Sequence, residues 1–268
     1  AISWIIARMT VPAPLHCRPD AYDCFLQHLP NVETATGLLG AAVAISMHEL
    51  SDARPQAIEH RIGVLSDRVK NRVRGDDKEA LIAHLHQVLF DEEDFSGNRD
   101  DYYNARNSYM PVVLESKRGI PITLTLIYKC VAERLGLTVH GINAPGHFLA
   151  TVEMEGAWTL VDPFFNGQIL SHDEALERIE KMIGRRLPAT EAEQQRPDTN
   201  EVPMAPMFQP ATHRDWLARM IRNLCAVFEQ EGGEDDLAAM TELFRLLQRT
   251  GRGGSQRNED IPNNDAND

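Results

Sequence analysis

The sequence has few cysteines, and they are scattered along the chain. Cys17, Cys24, Cys130 and Cys225 are spread over 268 residues, which excludes the dense spacing of a disulfide-stabilised domain. Cys17 and Cys24 lack the close pairing of a zinc knuckle, and no closely spaced histidine pair follows them. We therefore expect four reduced thiols in a cytoplasmic protein that needs neither a metal nor another cofactor.

Basic clusters and long apolar runs are also lacking. The formal net charge is −13, whereas a general nucleic-acid-binding protein shows clustered basic residues. The negative charge disfavours adhesion to anionic membranes, and no apolar run approaches the roughly 18 residues of a membrane-spanning helix. The apolar opening "AISWIIARM" is too short for a signal peptide, and Met9 is a candidate start of the chain. We expect neither nucleic acid nor a membrane as a partner.

Apolar residues recur at helical spacing through the first half of the chain. The stretch "ETATGLLGAAVAISMHEL" predicts a buried helix capped by Thr34 or Thr36, and "PQAIEHRIGVLSDRVKNRV" predicts an amphipathic helix with Pro55 in its first turn. A third helix is predicted by "DDKEALIAHLHQVLF", which has its leucines on one face. Residues 1–34, which carry four prolines, are predicted to be irregular, and the acidic stretch before Met110 is predicted to be a loop.

A fourth helix is predicted to lie at the centre of the molecule. In "IPITLTLIYKCVAERLG", Pro121 is suited to the first helical turn and Gly136 to the helix end. Apolar residues cover most of this helix, and Cys130 belongs to the stripe of Ile122 and Leu126 at four-residue spacing. We therefore predict that Cys130 is a core residue.

The second half of the chain predicts a small sheet and a helix pair. The stretch "LTVHGI" is typical of a strand, and "HFLATVEM" and "AWTLVDPF" predict a hairpin. Residues 172–183 predict a helix, residues 188–211 a proline-rich linking segment, residues 212–250 a helix pair, and residues 251–268 a disordered tail. Because the helices precede the strands rather than alternate with them, the predicted fold class is α+β.

The hairpin brings a histidine and an aspartate together. With a two-residue turn at Glu155-Gly156, paired residue numbers sum to 311, so that His147 and Asp162 share a face as diagonal neighbours. A single classic bulge would separate them. A carboxylate beside an imidazole selects its tautomer and stabilises the imidazolium, as in nucleophilic catalysis. The other interpretation is a structural hydrogen bond that closes the end of the hairpin.

Three sequence motifs carry a family resemblance. In order, "RNSYMPVVLESKRGIPITLTLIYKCVAERLGL", "PGHFLATV" and "LVDPFFNGQILS" resemble the transglutaminase-like proteins of the bacterial Sir-B invasion-regulator type, and an animal F-box protein carries a similar domain. The resemblance covers roughly residues 35–185. It implies a domain over residues 35–187 with a core like that of papain-like cysteine proteases, in which a central helix packs on a small antiparallel sheet. Members often end in tetratricopeptide repeats, so residues 212–250 would form a degenerate pair of that kind.

The resemblance also implies a Cys-His-Asp triad with one member missing. The superfamily places its cysteine at the N-terminus of the central helix, where the helix dipole favours the thiolate. His147 and Asp162 match the second and third members, but the cysteine position falls at or beside Ile120-Pro121, and neither residue can act as a nucleophile. Cys24 would reach the site only through a fold-back of the chain. The nearby substitutes are hydroxyl groups, on Ser116, Thr123 and Thr125.

Three further residues belong to the cleft that the resemblance implies. Asn107, in "YYNARNSY", either lines the cleft or closes a loop through side-chain-to-backbone bonds. Gly146 is expected to allow a close approach or a positive φ angle. Trp158 shares the strand face of Asp162, and a tryptophan often walls the cleft in this superfamily; ordinary sheet packing is the alternative.

The missing cysteine decides the expected function. Since the positioning groups and the base are kept without an attacking atom, we expect a non-catalytic binding, scaffolding or regulatory module. It would recognise a peptide or protein in the old cleft around His147, Asp162 and Trp158. The alternative is a hydrolase of amide or ester bonds, in which His147 acts as general base on water or on a substitute nucleophile. A transcription-linked regulator is a third reading, and the acidic charge disfavours direct DNA contact.

Overall fold

The computed structural model describes residues 12–154, 157–186 and 208–252. In these ranges the α-helices are α1 (Pro19–His28), α2 (Ala35–Ser46), α3 (Pro55–Lys70), α4 (Lys78–His86), α5 (Met110–Ser116), α6 (Pro121–Arg134), α7 (His172–Ile183), α8 (His213–Glu231) and α9 (Glu234–Arg252). The strands are β1 (Ser96–Gly97), β2 (Arg118–Gly119), β3 (Val139–Ile142), β4 (Leu149–Met154), β5 (Ala157–Asp162) and β6 (Gln168–Leu170). The mixed helical and sheet content agrees with the predicted class.

The helices begin where the sequence provides caps or prolines. Thr34 accepts a hydrogen bond from the third amide of α2, which settles the choice of cap for that helix. Pro55 and Pro121 occupy the first turns of α3 and α6, where a missing N–H costs no helical hydrogen bond. After α6, Gly136 has a φ of 84°, so a residue without a Cβ ends the helix as predicted.

The prediction for residues 1–34 is wrong for the part that the structure describes. Pro19 starts α1 instead of interrupting it, and Tyr22, Phe25 and Leu26 bury one face of that helix. The prolines on either side had suggested irregular backbone, but one at the first position of a helix is compatible with it. Residues 1–11 lie outside the described residues.

The acidic stretch before α5 is not simply a loop. A π-helical turn, Gln87–Glu92, continues α4, and a 3₁₀ turn, Ala105–Ser108, precedes α5. Between them β1 pairs in parallel with β2. Such short elements leave no periodic pattern in the sequence, since each is shorter than the window of about 11 residues in which a helical period is detected.

Strands β3 to β6 form an antiparallel sheet in chain order. Met154 pairs with Ala157 and Ala150 with Val161, so the predicted sum of 311 is confirmed along the hairpin. The turn residues 155–156 themselves lie outside the described residues. Without a bulge in this ladder, residues that were predicted to share a face do share it.

The sheet separates two hydrophobic clusters. Helix α6 packs against one side, and twelve of its fourteen residues are buried. Cys130 is buried among them, as predicted. On the other side, Leu149 and Leu160 pack with Ala175 and Ile179 of α7. The sheet is therefore covered on both faces, which fixes its register.

The C-terminal helix pair packs on the rest of the molecule. Helices α8 and α9 pack along each other, and α8 also contacts α2 and α6. Trp216 is fully buried, its ring centroid lies 4.7 Å from that of Phe148, and its indole N–H donates to the carbonyl of Ile122 at 3.3 Å. Most of the predicted linking segment 188–211 and nearly all of the predicted tail 251–268 lie outside the described residues. Within those residues, no helix combines the length and the apolar character needed to cross a membrane.

Candidate functional site

The His–Asp pair forms as the hairpin register predicts. His147 follows a turn in which its amide donates to the carbonyl of Ala144, and Asp162 is the last residue of β5. His147 Nε2 and Asp162 Oδ2 are 2.8 Å apart. Both side chains are 0% exposed, so the pair is sealed from solvent and has a low-dielectric surrounding.

The Asp162 carboxylate is saturated with hydrogen-bond donors. Its Oδ1 accepts from the amides of Phe164 and Phe165, at 3.1 and 3.3 Å. Its Oδ2 accepts from His147 and from Arg178 Nη1, the latter at 2.9 Å. Four donors compensate the loss of hydration of a buried carboxylate. Asp162 thereby joins the hairpin, the following 3₁₀ turn (Pro163–Phe165) and helix α7.

Arg178 is a member of the site that the sequence did not indicate. Its side chain is 18% exposed, its Nη2 donates to Gln168 Oε1 at 2.6 Å, and its guanidinium lies 4.4 Å from the centroid of the Phe165 ring. On the sequence it is one of several charged residues in α7. Only the docking of α7 on the sheet turns it towards Asp162, and no local pattern encodes that docking.

The second nitrogen of the imidazole is without a partner. Because Asp162 is engaged at Nε2, a neutral ring that donates there leaves Nδ1 as an acceptor. Nδ1 is buried, and no group in the described part of the chain hydrogen-bonds to it. The ring packs edge-on against Phe164 and Phe165, with centroids 6.0 and 6.1 Å away. No described hydroxyl or thiol is therefore placed to transfer a proton to His147.

The position of the missing cysteine is buried at the start of α6. Ile120 is the N-cap of α6 and Pro121 its first residue, and both are buried. Ile120 lines a narrow cleft between the residue 102–108 loop and α8, together with Tyr102, Tyr103, Asn104, Ser108, Asn223, Ala226, Val227 and Gln230. Neither His147 nor Asp162 lines this cleft. Phe164 and Phe165 pack against the His147 ring instead.

None of the four cysteines is an activated nucleophile. Burial raises the pKa of the Cys130 and Cys17 thiols to about 12 and that of Cys24 to about 11. Burial raises the pKa of Cys225 as well. A reactive cysteine needs the opposite, a thiol pKa lowered by a cation or a helix N-terminus. All four are unpaired thiols, as the scarcity of cysteine led us to expect.

The hydroxyl substitutes are no better placed. Ser116 donates to the carbonyl of Arg118 at the end of α5, and Thr125 donates to the carbonyl of Phe148 at 3.3 Å. Thr123 is buried in the first turn of α6, where its hydroxyl has no described partner. None of these hydroxyls hydrogen-bonds to His147, so none shares the geometry of a nucleophile and its base.

Asn107 closes a loop instead of facing a ligand. Its Nδ2 donates to the carbonyls of Asp101 and Tyr102, at 2.6 and 3.2 Å, and its Oδ1 accepts from Asn98. The residue is buried. Of the two readings left open by the sequence, the structure shows loop closure, which holds residues 98–104 in place.

Gly146 has the backbone role that was expected. Its φ is 68°, and a Cβ there would lie 2.8 Å from Ile183 Cγ2 at the end of α7. A side chain is thus excluded both by the left-handed conformation and by the close approach of α7. This glycine lets the turn before His147 lie against the helix that carries Arg178.

Trp158 does not belong with the His–Asp pair. It shares the face of Asp162 but lies four residues away, about 13 Å along the strand. It pairs with Glu153 near the hairpin turn, is 40% exposed, and its ring centroid lies 5.0 Å from that of His140. A shared strand face thus did not by itself place Trp158 beside the pair, and the cleft around His147, Asp162 and Trp158 stays a prediction.

Among the residues that the structure describes, no three or more His, Cys, Asp or Glu side chains are placed to hold an ion.

The comparisons with known proteins agree with the fold. A UPF0162 protein of Xylella fastidiosa (strain 9a5c) is 36% identical over 166 residues, which are 62% of this chain and 55% of that protein. F-box only protein 21 of Mus musculus is 33% identical over 170 residues, 60% of this chain and 24% of that protein. The chain thus spans about half the length of the bacterial relative and a quarter of the F-box protein. No solved structure matches at a significant level.

The match to a family model covers the site and the elements around it. The model described as transglutaminase-like superfamily matches residues 56–222, from α3 into α8. That range includes the central helix, the sheet, the His–Asp pair and Arg178, and it amounts to more than half of the sequence. The chain belongs to the transglutaminase-like superfamily.

Proposed function

We propose that this protein is a non-catalytic transglutaminase-like module of the Sir-B type, which binds a peptide or protein. One observation carries the proposal: His147 and Asp162 are completely buried, and His147 Nδ1 has no hydroxyl or thiol beside it in the described residues. A general base must reach the proton that it removes, either directly or through one water. Here the rings of Phe164 and Phe165 pack against the imidazole, and no described side chain lies beside Nδ1 as an attacking group.

In this proposal the pair has a structural task. Asp162 caps the turn that follows β5 and connects it to α7 through Arg178. His147 completes the set of donors around the carboxylate. Removing one member would leave a buried polar group unpaired, which gives the pair a role in stability alone.

We place the binding role in the cleft beside Ile120, where the family resemblance puts the nucleophile. Tyr102 and Tyr103 of the residue 102–108 loop line this cleft together with Asn223 and Gln230 of α8. Apolar surface with a few amide groups suits a peptide backbone, which offers both donors and acceptors. The unpaired thiols of the chain support a reducing compartment, and so a cytoplasmic location.

Turnover measurements test the proposal. The purified protein and its His147→Gln variant would be incubated with a pool of peptide and ester substrates. Gln keeps a donor for Asp162 but removes the imidazole base. We expect neither protein to hydrolyse any substrate faster than buffer. Hydrolysis by the wild type that disappears in His147→Gln would replace this proposal by the hydrolase.

The hydrolase remains the second candidate because of one observation. The orphan Nδ1 of His147 is an acceptor that a water could occupy, and a water held there would be next to a base oriented by Asp162. This alternative needs a route for substrate through the ring pair of Phe164 and Phe165. The same turnover experiment decides between the two.

A further inference from the structure

A polar pocket lies on the outer side of the turn that Asp162 caps. It encloses about 450 Å³ and lies between β1, the end of β2 and the turn after β5. Its lining consists mainly of polar residues, namely Ser96, Gly97, Asn98, Arg99, Asp100, Arg118 and Asn166. Apart from the turn itself, it shares no residue with the His–Asp pair or with the Ile120 cleft.

Several polar groups of this pocket are uncommitted. The side chains of Ser96, Arg99 and Asn166 make no hydrogen bond to any other residue in the described ranges. By contrast, Arg118 is held by Asp94, with Nη2 and Oδ2 2.5 Å apart. The pocket therefore combines side chains that are available for hydrogen bonding with the fixed guanidinium of Arg118. Such an arrangement is typical of a preorganised binding site.

The backbone around the pocket adopts an uncommon conformation at three places. Asp94, Lys117 and Asn166 have φ angles of 58°, 63° and 56°, and they are the only residues other than glycine with a positive φ in the described chain. Asn166 lines the pocket, Lys117 directly precedes the lining residue Arg118, and Asp94 lies two residues before the lining residue Ser96. Left-handed non-glycine residues are disfavoured and gather at functional sites.

Phe165 connects the pocket to the buried network. The guanidinium of Arg99 lies 4.5 Å from the centroid of its ring, and that of Arg178 lies 4.4 Å from it. Asp162 binds both Arg178 and the amide of Phe165. The chain of contacts thus runs from His147 through Asp162 to the ring that supports Arg99.

We propose that this pocket binds the carboxylate group of an acidic peptide, with Arg99 as its main ligand. A guanidinium pairs with a carboxylate through two parallel hydrogen bonds, and the Ser96 hydroxyl and Asn166 amide supply further donors. Arg118 is already neutralised by Asp94, whereas Arg99 and Asp100 both line the pocket without an ion-pair partner in the described residues. Because the Asp100 carboxylate offsets part of the positive charge, a singly charged carboxylate fits better than a doubly charged phosphate.

This assignment gives the ligand class for the peptide-binding role proposed above, and it depends on that role. Residues 98–104 contribute Arg99 to this pocket and Tyr102 to the Ile120 cleft, so one loop borders both sites. It also gives the buried pair a task, since His147 and Asp162 hold the turn that presents Phe165 and Asn166.

A matched pair of peptides tests the ligand class. Blocked Ala-Glu-Ala and Ala-Gln-Ala peptides would be titrated into the full chain, with binding followed through the side-chain NMR signals of the arginines; inorganic phosphate is a third ligand. We expect the Glu peptide to bind at least about tenfold more tightly than the Gln peptide, with the Arg99 signal shifting most. Equal affinity for the two peptides, no binding of either, or tighter binding of phosphate would overturn the assignment.

A pair of variants tests the residue. Arg99→Met keeps an unbranched apolar side chain and removes the charge, whereas Arg74→Met removes an exposed charge outside the pocket. Arg99→Met should weaken the Glu peptide about tenfold, and Arg74→Met should not. Equal effects of the two variants would contradict the role of Arg99. Neither titration depends on turnover, so hydrolysis by the wild type would defeat the proposed function without deciding this assignment.

Discussion

At the scale of single residues, the sequence predicts a pair, and the structure adds a third member. Strand alternation and the turn position bring His147 to Asp162, and a 2.8 Å hydrogen bond confirms it. Arg178 could not be predicted, because its contact depends on how α7 docks and not on any spacing along the chain. The enclosure of the pair by Phe164 and Phe165 is likewise a tertiary feature, although both residues stand directly after Asp162 in the sequence.

Removal of the buried Asp162 carboxylate is expected to lower the free energy of unfolding substantially. Asp162→Asn would leave Arg178 and His147 facing a neutral amide, and breaking a buried charge pair costs roughly 3–5 kcal/mol of unfolding free energy. Urea denaturation measures this. Glu153→Gln, which removes an exposed partner of Lys78, serves as the control and should cost under about 1 kcal/mol. Similar losses for the two variants would show that the Asp162 network adds little to stability.

A side chain at position 146 is expected to lower stability through a steric contact as well as through its backbone conformation. Gly146 and Gly184 have nearly equal φ angles of 68° and 69°, but only at Gly146 would a Cβ meet another atom, Ile183 Cγ2 at 2.8 Å. Gly184→Ala should therefore report the cost of the conformation, about 1 kcal/mol. Gly146→Ala should lose at least about 1 kcal/mol more by thermal or urea denaturation. Equal losses would mean that the turn and α7 are not in contact.

At the scale of secondary structure, periodicity and caps predict the long elements well. Helix α6 begins at Pro121 and stops before Gly136, and the hairpin has the predicted register. The missed elements are α1, which lies among prolines, and the two-residue strands β1 and β2, which have no period to detect. Strands β1 and β2 matter most for ligand binding, because their residues line the polar pocket that we propose binds a carboxylate.

The packing of α8 on the rest of the molecule is expected to depend strongly on Trp216. Trp216 fills the space above Gly141 and Phe148, and a large buried aromatic contributes roughly 3–5 kcal/mol relative to alanine. Trp216→Ala should lower the free energy of unfolding by that amount in urea titrations. Trp158→Ala removes the same side chain from an exposed position and should cost under about 1 kcal/mol. A small effect of Trp216→Ala would show that α8 is not anchored there.

At the scale of the whole molecule, buried histidines predict a loss of stability in acid. Burial lowers the pKa of His86 to about 4, and it also lowers the pKa of His28, His140 and His213. The unfolded chain takes up protons near pH 6.5, before the folded chain does. The contribution of these histidines to the free energy of unfolding is therefore fully present above pH 6.5 and is lost as the pH drops towards 4.

The size of the loss of stability in acid can be estimated for His86. A shift from 6.5 to about 4 corresponds to roughly 3 kcal/mol once both states have titrated. His86→Gln retains a polar partner for Tyr128, 3.0 Å away in the wild type, and should flatten the fall in the urea midpoint between pH 7 and 5. If the pH dependence of the variant equals that of the wild type, His86 is not its source.

The family and the general fold follow from sequence, but the layout of the molecule does not. The three motifs mark a transglutaminase-like domain, and a family match over residues 56–222 shows that it is one. Residues on the same strand face need not meet, because Trp158 lies about 13 Å along β5 from Asp162. Trp158 is exposed, whereas the His147–Asp162 pair is buried.

The central claim is that the His–Asp pair supports a turn and performs no chemistry, and amide hydrogen exchange in His147→Ala tests it most directly. The amides of Phe164 and Phe165 bind Asp162 Oδ1, whereas that of Ile127 lies within α6 and serves as the internal reference. We predict that exchange at Phe164 and Phe165 accelerates by at least about tenfold relative to Ile127, equivalent to a local loss of about 1.4 kcal/mol. Unchanged exchange at these two amides, with the variant fully folded, would contradict the account.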